Sequence, residues 1–528
     1  MGTTKKNPAF LLTKISLFLS KINQMETKEA FFAHIGEGYT CKGDYITMGS
    51  AMLNGETLTD AFVKIPLKTL NRHGLIAGAT GTGKTKTLQV MAENLSEKGI
   101  PVLLMDLKGD LSGLAQPSPG GAKVEERHAQ IGLPFTPSAF PVEILSLSEQ
   151  GGVKLRATVS EFGPILLSRI LDLSVTQEGI VAVIFKYCDD QKLPLLDLKD
   201  FKKVLQYATE AGKKEFADSY GRISTSSTGT ILRKVIELEQ QGADLFFGEK
   251  SFEVDDLTRI DENGRGYINI IRLTDIQDRP KLFSTFMLSL LAEIYDIFPE
   301  QGDTDRPELI LFIDEAHLIF NEASKALLNQ IENIVKLIRS KGIGIYFVTQ
   351  NPTDVPDAVL AQLGLKVQHA LRAFTAKDRK AIKLTAENYP ISEYYNTSEV
   401  LTSLGTGEAL ISALNEKGRP TPLAATMLRA PMSRMDILSD GELKDVIDRS
   451  ILVKKYNGTI DRESAYELLN DKIERAEKEA EKEMAATGRN ARRTSNGRTS
   501  TRQNPIIKVL TSATFIRGVM GVLKKVMR

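Results

Sequence analysis

Cysteine is nearly absent: Cys41 and Cys188 are the only two in 528 residues, far apart and without a cysteine or histidine cluster around them. That excludes a disulfide-built scaffold and a cysteine-ligated zinc site, and leaves two ordinary reduced thiols. Net charge is nearly absent as well, with 68 Lys+Arg against 67 Asp+Glu, a balance of +1. No global basic field announces nucleic acid, so any such contact has to come from a local groove or pore. Long apolar runs are missing too. The stretch from Ala9 to Leu19 is interrupted by Lys14, lacks a small-residue cleavage site and is too short to span a bilayer. A cytoplasmic chain is the expectation, with residues 1–24 read as an amphipathic helix or as a start-site extension ahead of Met25. The 42% hydrophobic and 26% charged content suits a soluble protein of one large domain or roughly two to three ordinary ones.

What is present is concentrated in a few stretches. In "GLIAGATGTGKTKT" the residues Gly78, Ala79, Thr80, Gly81, Thr82, Gly83, Lys84 and Thr85 match the P-loop pattern at each fixed position. Apolar Leu75 and Ile76 precede it and helix formers follow from Lys86, which is counted with the loop. The glycines let successive N–H groups turn toward a phosphate, aided by the positive end of the following helix. Lys84 would reach the β/γ oxygens of ATP, and Thr85 would supply a hydroxyl to Mg²⁺. After that helix, which ends at Gly99, "IPVLLMDLKGD" reads as a buried parallel strand, closing a βαβ unit. Asp106 and the turn Lys108 to Asp110 then fall at the strand's carboxyl end, where open α/β sheets bind ligands. A solvated turn remains the alternative for that segment.

"PELILFIDEAHLIF" describes a second buried strand, delivering Asp314 and Glu315 to the same edge. Asp314 would hold the Mg²⁺ shell as a Walker B aspartate, and Glu315 would orient or deprotonate the attacking water. The letters Asp314 to His317 also spell an RNA-helicase box. The Ser-Ala-Thr motif that should follow it occurs only at Thr511 to Thr514, and the arginine motif of a second RecA-like domain is missing, so that likeness is superficial.

Further on, "LIRSKGIGIYFVTQNPTDVP" gives Arg339, a glycine-flanked strand and Gln350 at its end. With these motifs in this order the chain resembles the HerA/FtsK superfamily of hexameric ATPases, and within it the bacterial HerA-like ATPases whose loop begins "NRHGLIAGATGTGKT". The similarity runs from about Ile46 to the C-terminus. The resemblance implies that Gln350 senses the γ-phosphate or its water and that Arg339 is an arginine finger for an adjacent subunit. Arg372 is the reserve, as finger or cis sensor. Alternatives stay open: a helix-terminal charge for Arg339 and a buried strand-end amide for Gln350. The resemblance also implies a homo-oligomeric ring, DNA as partner and a partner nuclease. It departs from HerA itself in having too few residues before the P-loop for an N-terminal β-barrel.

The expected fold is α/β: a RecA-like P-loop ATPase with a mainly parallel central sheet, a helical insertion and a helical C-terminal region. Residues 1–45 form an extension, 46–151 and 249–430 the two parts of the core, and 152–248 the insertion, where apolar spacing is closer to three or four than to two. Strand character is expected to return at "SFEVDDL" and "GYINIIRL". Residues 431–483 should be helical, 484–505 a flexible basic linker and 506–528 an amphipathic docking helix. The expected activity is Mg²⁺-dependent ATP hydrolysis coupled to movement on DNA. A nucleotide-driven assembly or signalling switch without nucleic acid is the alternative.

Overall fold

Apolar runs of four to seven residues become the central strands, because a segment buried on both faces needs no polar alternation. The computed structural model describes residues 25–493 except 277–278, 303, 323–324, 459 and 461, with the backbone path alone at 280, 321–322, 325–327 and 483–493. A first helix, α1 (25–38), precedes β1 (Tyr45–Leu53), β2 (Glu56–Pro66) and β3 (Gly74–Ala77). Then follow α2 (Lys84–Glu97), β4 (Val102–Asp106), α3 (Ala122–Ile131), β5 (Val142–Ser146) and β6 (Val153–Lys154). Five helices come next: α4 (Val159–Ile170), α5 (Val175–Gln191), α6 (Leu198–Thr209), α7 (Lys213–Ser219) and α8 (Thr225–Gln240). The chain re-enters the sheet at β7 (Ile268–Arg272) and continues through α9 (Pro280–Ile297), β8 (Leu309–Ile313), α10 (His317–Glu322), α11 (Lys325–Leu337) and β9 (Ile343–Thr349). It closes with α12 (Asp357–Leu360), β10 (Leu365–Gln368), α13 (Ala376–Glu387), α14 (Thr397–Ser403), β11 (Glu408–Ser412), β12 (Ala424–Leu428), α15 (Asp440–Arg449), α16 (Ile451–Tyr456) and α17 (Ala465–Arg493).

All twelve strands form one sheet, in the order β2-β1-β12-β11-β10-β3-β9-β8-β4-β7-β5-β6. From β10 to β6 every pairing is parallel, while β2, β1, β12 and β11 are added antiparallel at one edge. The expected mainly parallel α/β sheet is the fold. Right-handed crossovers put α2 on one face, and α9 and α11, whose connections run the other way along the sheet, on the opposite face. Kinked at Gly163, α4 packs on α9 and α11, so the helices between β6 and β7 build onto that second face. The connections reverse direction around β3, the arrangement that opens a crevice beyond the strands' carboxyl ends.

"SFEVDDL" departs from expectation: instead of a strand, Val254–Thr258 is a 3₁₀ turn. Its Asp256 takes hydrogen bonds from Lys455 Nζ (2.8 Å) and Tyr456 Oη (2.5 Å), partners that a strand register would not offer. Within the expected extension, α1 buries Phe31 and Ile35 in the main core, where the Phe31 ring packs tilted against Tyr394 with centroids 4.9 Å apart. A second contact unit begins at Leu468. Over its described residues it is the remainder of α17, a charged helix with a Lys478–Glu474 pair at 2.6 Å, continuing to Arg493 through the start of the expected linker. Residues 1–24, the rest of the linker, Thr511 to Thr514 and the expected docking helix lie outside the described residues. Among the described residues no helix is long and apolar enough to cross a membrane.

Candidate active site at the carboxyl edge of the sheet

The loop after β3 is fixed from both sides by the backbone. Gly78 N donates to Thr349 O at the end of β9 (3.3 Å), and Ala79 N to Ala370 O just beyond β10 (2.9 Å). Two glycines are required by geometry. Gly78 has φ 154° and a Cβ there would lie 2.5 Å from His369 Cβ; Gly83 caps α2 at φ 112°. Thr82 Oγ1 donates to Ala79 O (2.7 Å), tightening the turn. Lys84 Nζ lies across it, donating to the carbonyls of Gly78 (2.7 Å) and Ala79 (3.2 Å). Burial, then the charge of Lys108, pulls the Lys84 ammonium below its ordinary range. Thr85 is half-buried in the first turn of α2. Lys86 is directed elsewhere: its ammonium donates to the carbonyl of Met435 and to Gln89 Oε1 (3.3 Å).

Two places along the sheet, β8 ends in Asp314 and Glu315, both nearly fully buried. Burial pushes Asp314 up to about 6, the carboxylate of Glu315 adding to the rise and the ammonium of Lys108 opposing it. Asp314 Oδ1 accepts the Glu315 N–H (2.9 Å). Glu315 itself adopts φ 47°, a left-handed conformation that costs on the order of 1–3 kcal/mol and that folds retain chiefly at working sites. Its Oε1 is held by Lys108 Nζ at 2.5 Å. His317 Nδ1 lies 3.3 Å from Oε2 without hydrogen-bond alignment, so Oε2 is a buried acceptor with no donor among the described residues. These features fit a phosphate and a hydrated divalent cation: a glycine cradle, a lysine bonded only to loop carbonyls, and a carboxylate oxygen left unsatisfied.

Gln350 follows β9 directly and is exposed, not a buried strand-end amide. With Thr80, Ala79, Arg372 and Phe374 it lines a cavity of about 390 Å³ against the phosphate loop. Arg372 is exposed there, its Nη1 3.4 Å from Thr402 O. Arg339 is not brought to this edge. It sits in the 3₁₀ turn Ile338–Lys341 before β9, and seven strand residues at about 3.3 Å each put it roughly 20 Å from the Gln350 end. Its charge instead reaches His73, at the start of β3. His73 Nδ1 accepts the Ile345 N–H (3.0 Å), so its Nε2 carries the proton donated to Val335 O (2.8 Å).

Two parts of the site escaped the sequence reading. Lys108 lay in a turn already singled out, but its partner is 207 positions away, and only the pairing of β4 with β8 joins them. That turn is built by Asp106, whose carboxylate accepts the N–H groups of Gly109 (2.6 Å), Asp110 and Leu111 (both 3.2 Å). The second is the segment after β12, strapped over α2 by fully buried Glu93. Its carboxylate accepts the N–H groups of Met432 (2.8 Å) and Ser433 (3.0 Å). A glutamate set among Leu88, Val90, Met91, Ala92 and Leu95 was the available signal.

The model of the helicase HerA-like C-terminal family matches residues 51–526. A DNA double-strand break repair helicase HerA from Saccharolobus solfataricus is 24% identical over 405 residues, covering 75% of this chain and 72% of that protein. The chain spans 64–65% of the length of further curated relatives, two of them also named HerA. Among solved structures, the bacterial conjugative coupling protein TrwB aligns at 16% identity and TM-score 0.49, covering 77% of this chain and 95% of that one. VirB4 of Thermoanaerobacter pseudethanolicus aligns at 16% and 0.46, over 74% and 97%. With a P-loop at the end of β3, paired acidic residues at the end of β8 and a family match over most of its length, the chain belongs to the helicase HerA-like C-terminal family, as an ATPase of HerA/FtsK type.

Proposed function

We propose that the protein is a Mg²⁺-dependent ATPase that works as a hexameric ring and couples hydrolysis to movement on DNA. The observation that carries the hydrolytic part is the convergence of Lys84, Asp314 and Glu315 at one sheet edge, with Glu315 Oε2 buried and unpartnered. In this reading the loop N–H groups and Lys84 hold the β/γ-phosphates, Lys84 exchanging two carbonyls for phosphate oxygens. Thr85 and Asp314 would hold Mg²⁺, which supplies charge neutralisation on those oxygens. Glu315 positions the attacking water through Oε2 and takes its proton, while Lys108 fixes the other oxygen. Gln350 and Arg372 face the same cavity from the neighbouring strand ends. Arg339 is too far from its own loop to act there, which supports a role toward the loop of an adjacent copy, where a finger is worth about 10³–10⁵ in turnover.

The DNA part draws on the names of the relatives and is tested directly. ATPase rate is measured with and without linear duplex DNA, across a salt series. Stimulation that fades as salt screens phosphate contacts is the expected result. Turnover indifferent to DNA at low salt would replace this reading with that of a nucleotide-driven assembly switch.

A further inference from the structure

On a chain of net charge +1, exposed positive charge is concentrated in one segment that begins at the rim of the active-site cavity with Arg372 and continues outward along α13. Between Arg372 and Lys383 stand five exposed cations, Arg372, Lys377, Arg379, Lys380 and Lys383, and a single carboxylate, Asp378. Asp378 is spent locally, accepting the N–H groups of Phe374 (3.0 Å) and Thr375 (2.7 Å) in the capping box that starts α13. At 100° per residue the four cations of α13 fall within about 160° of the helix surface, together with exposed Leu384 and one carboxylate, Glu387, opposite buried Ile382 and Thr385. The Asp378 carboxylate anchors the backbone of Phe374, whose ring is 86% exposed. A large aromatic displayed on a fixed turn pays little ordering entropy on binding.

We propose that this face of α13, with Phe374 at its head, is where the protein grips a nucleic acid: the cations meet the phosphodiester backbone and the Phe374 ring stacks on a base. This rests on the reading of the protein as a DNA-coupled ATPase and names the surface that reading lacked. Cations in an arc match a row of phosphates, and a lone ring among charges matches a base face. A protein partner fits less well, because interface centres are apolar and depleted in charge, whereas here the apolar part is one ring and one leucine edge. The position also explains coupling. The opposite side of α13, through Ala381, Ile382 and Thr385, lines the cavity shared by Thr80 and Gln350, so a nucleic acid on the outer face loads an element that faces the phosphate loop across that cavity.

The test uses the full chain with a labelled linear duplex and a labelled single strand of equal length, titrated across salt. In Lys377→Gln/Arg379→Gln/Lys380→Gln, binding to both probes weakens and the slope of log affinity against log salt flattens by roughly 2–3. DNA-free ATPase stays at its original level and stimulation by DNA is lost. Phe374→Ala weakens the single strand by roughly tenfold or more and the duplex less. An unchanged salt slope in the triple variant, with the original protein binding normally, overturns this inference and leaves the DNA reading standing. Failure of the original protein to bind either probe at low salt removes both. A triple variant that keeps its DNA affinity but changes its mass in solution assigns the face to contact between copies, and overturns the proposal.

Discussion

At the carboxyl edge of the parallel sheet Glu315 sits at φ 47° with an unpartnered oxygen, and Lys84 spends its ammonium on two carbonyls of its own loop. At the amino edge of the same strands His73 fills both ring nitrogens, joining β3 to β9 and to α11, and the turn that carries Arg339 closes on it. Both edges hold a non-glycine residue at positive φ, His73 at 57° and Glu315 at 47°, so the contrast lies in their polar atoms: Glu315 keeps one oxygen unbonded among the described residues, whereas His73 has both ring nitrogens bonded across strands and helix. The difference separates working groups from structural ones. It also leaves Arg339 on the structural edge of its own chain, so the proposed catalytic set is complete only where two copies meet.

Substitutions at the carboxyl edge should strike function and spare the fold. Lys84→Ala has the largest expected effect, loss of measurable ATP binding by calorimetry, since among the described residues no other cation is bonded across the loop. Unchanged affinity would contradict the site. Glu315→Gln keeps shape and binds ATP, while turnover falls by about 10²–10⁴, the range of a positioned general base. Near-normal turnover would move that role to another residue.

The amino edge should answer to stability instead, and more weakly. Burial, opposed by the Val335 hydrogen bond and reinforced by the Arg339 charge, pulls His73 down to about 4. Unfolded histidine titrates near 6.5, so between about 6.5 and 4 the unfolded state binds a proton that the folded state refuses. Stability from this residue is therefore complete above about pH 6.5 and declines as pH falls, by on the order of 2 kcal/mol at pH 5. His73→Gln should be less stable at pH 7.5 but show a smaller loss of Tm between pH 7.5 and 5. Parallel pH curves for the two proteins would mean that His73 charges freely in the fold.

The same contrast explains what the sequence disclosed. Strands β3, β4, β8 and β9 are unbroken apolar runs bearing their chemistry at one end, so Lys84, Asp314 and Glu315 were readable from pattern alone. The antiparallel flank was not: β11 (Glu408–Ser412) and β12 (Ala424–Leu428) are short, with alanines where a β-branched alternation would have signalled a strand. Which edge holds Arg339 depends on strand direction, and the Lys108–Glu315 pair on strand order; neither is local in the chain. "SFEVDDL" misled because alternation over so few residues suits a turn once its carboxylates find partners in α16.

The most direct measurement of the central claim, that one active site is built from two copies, is complementation. Arg339→Ala and Glu315→Gln proteins, each nearly inactive alone, are co-assembled, and mixed composition is verified by native mass. Some boundaries then pair an intact Glu315 with an intact Arg339 from the neighbour, and the account predicts that ATPase activity partly returns. Verified mixed oligomers that stay as inactive as either parent, or a protein that remains monomeric with ATP and DNA, would contradict it.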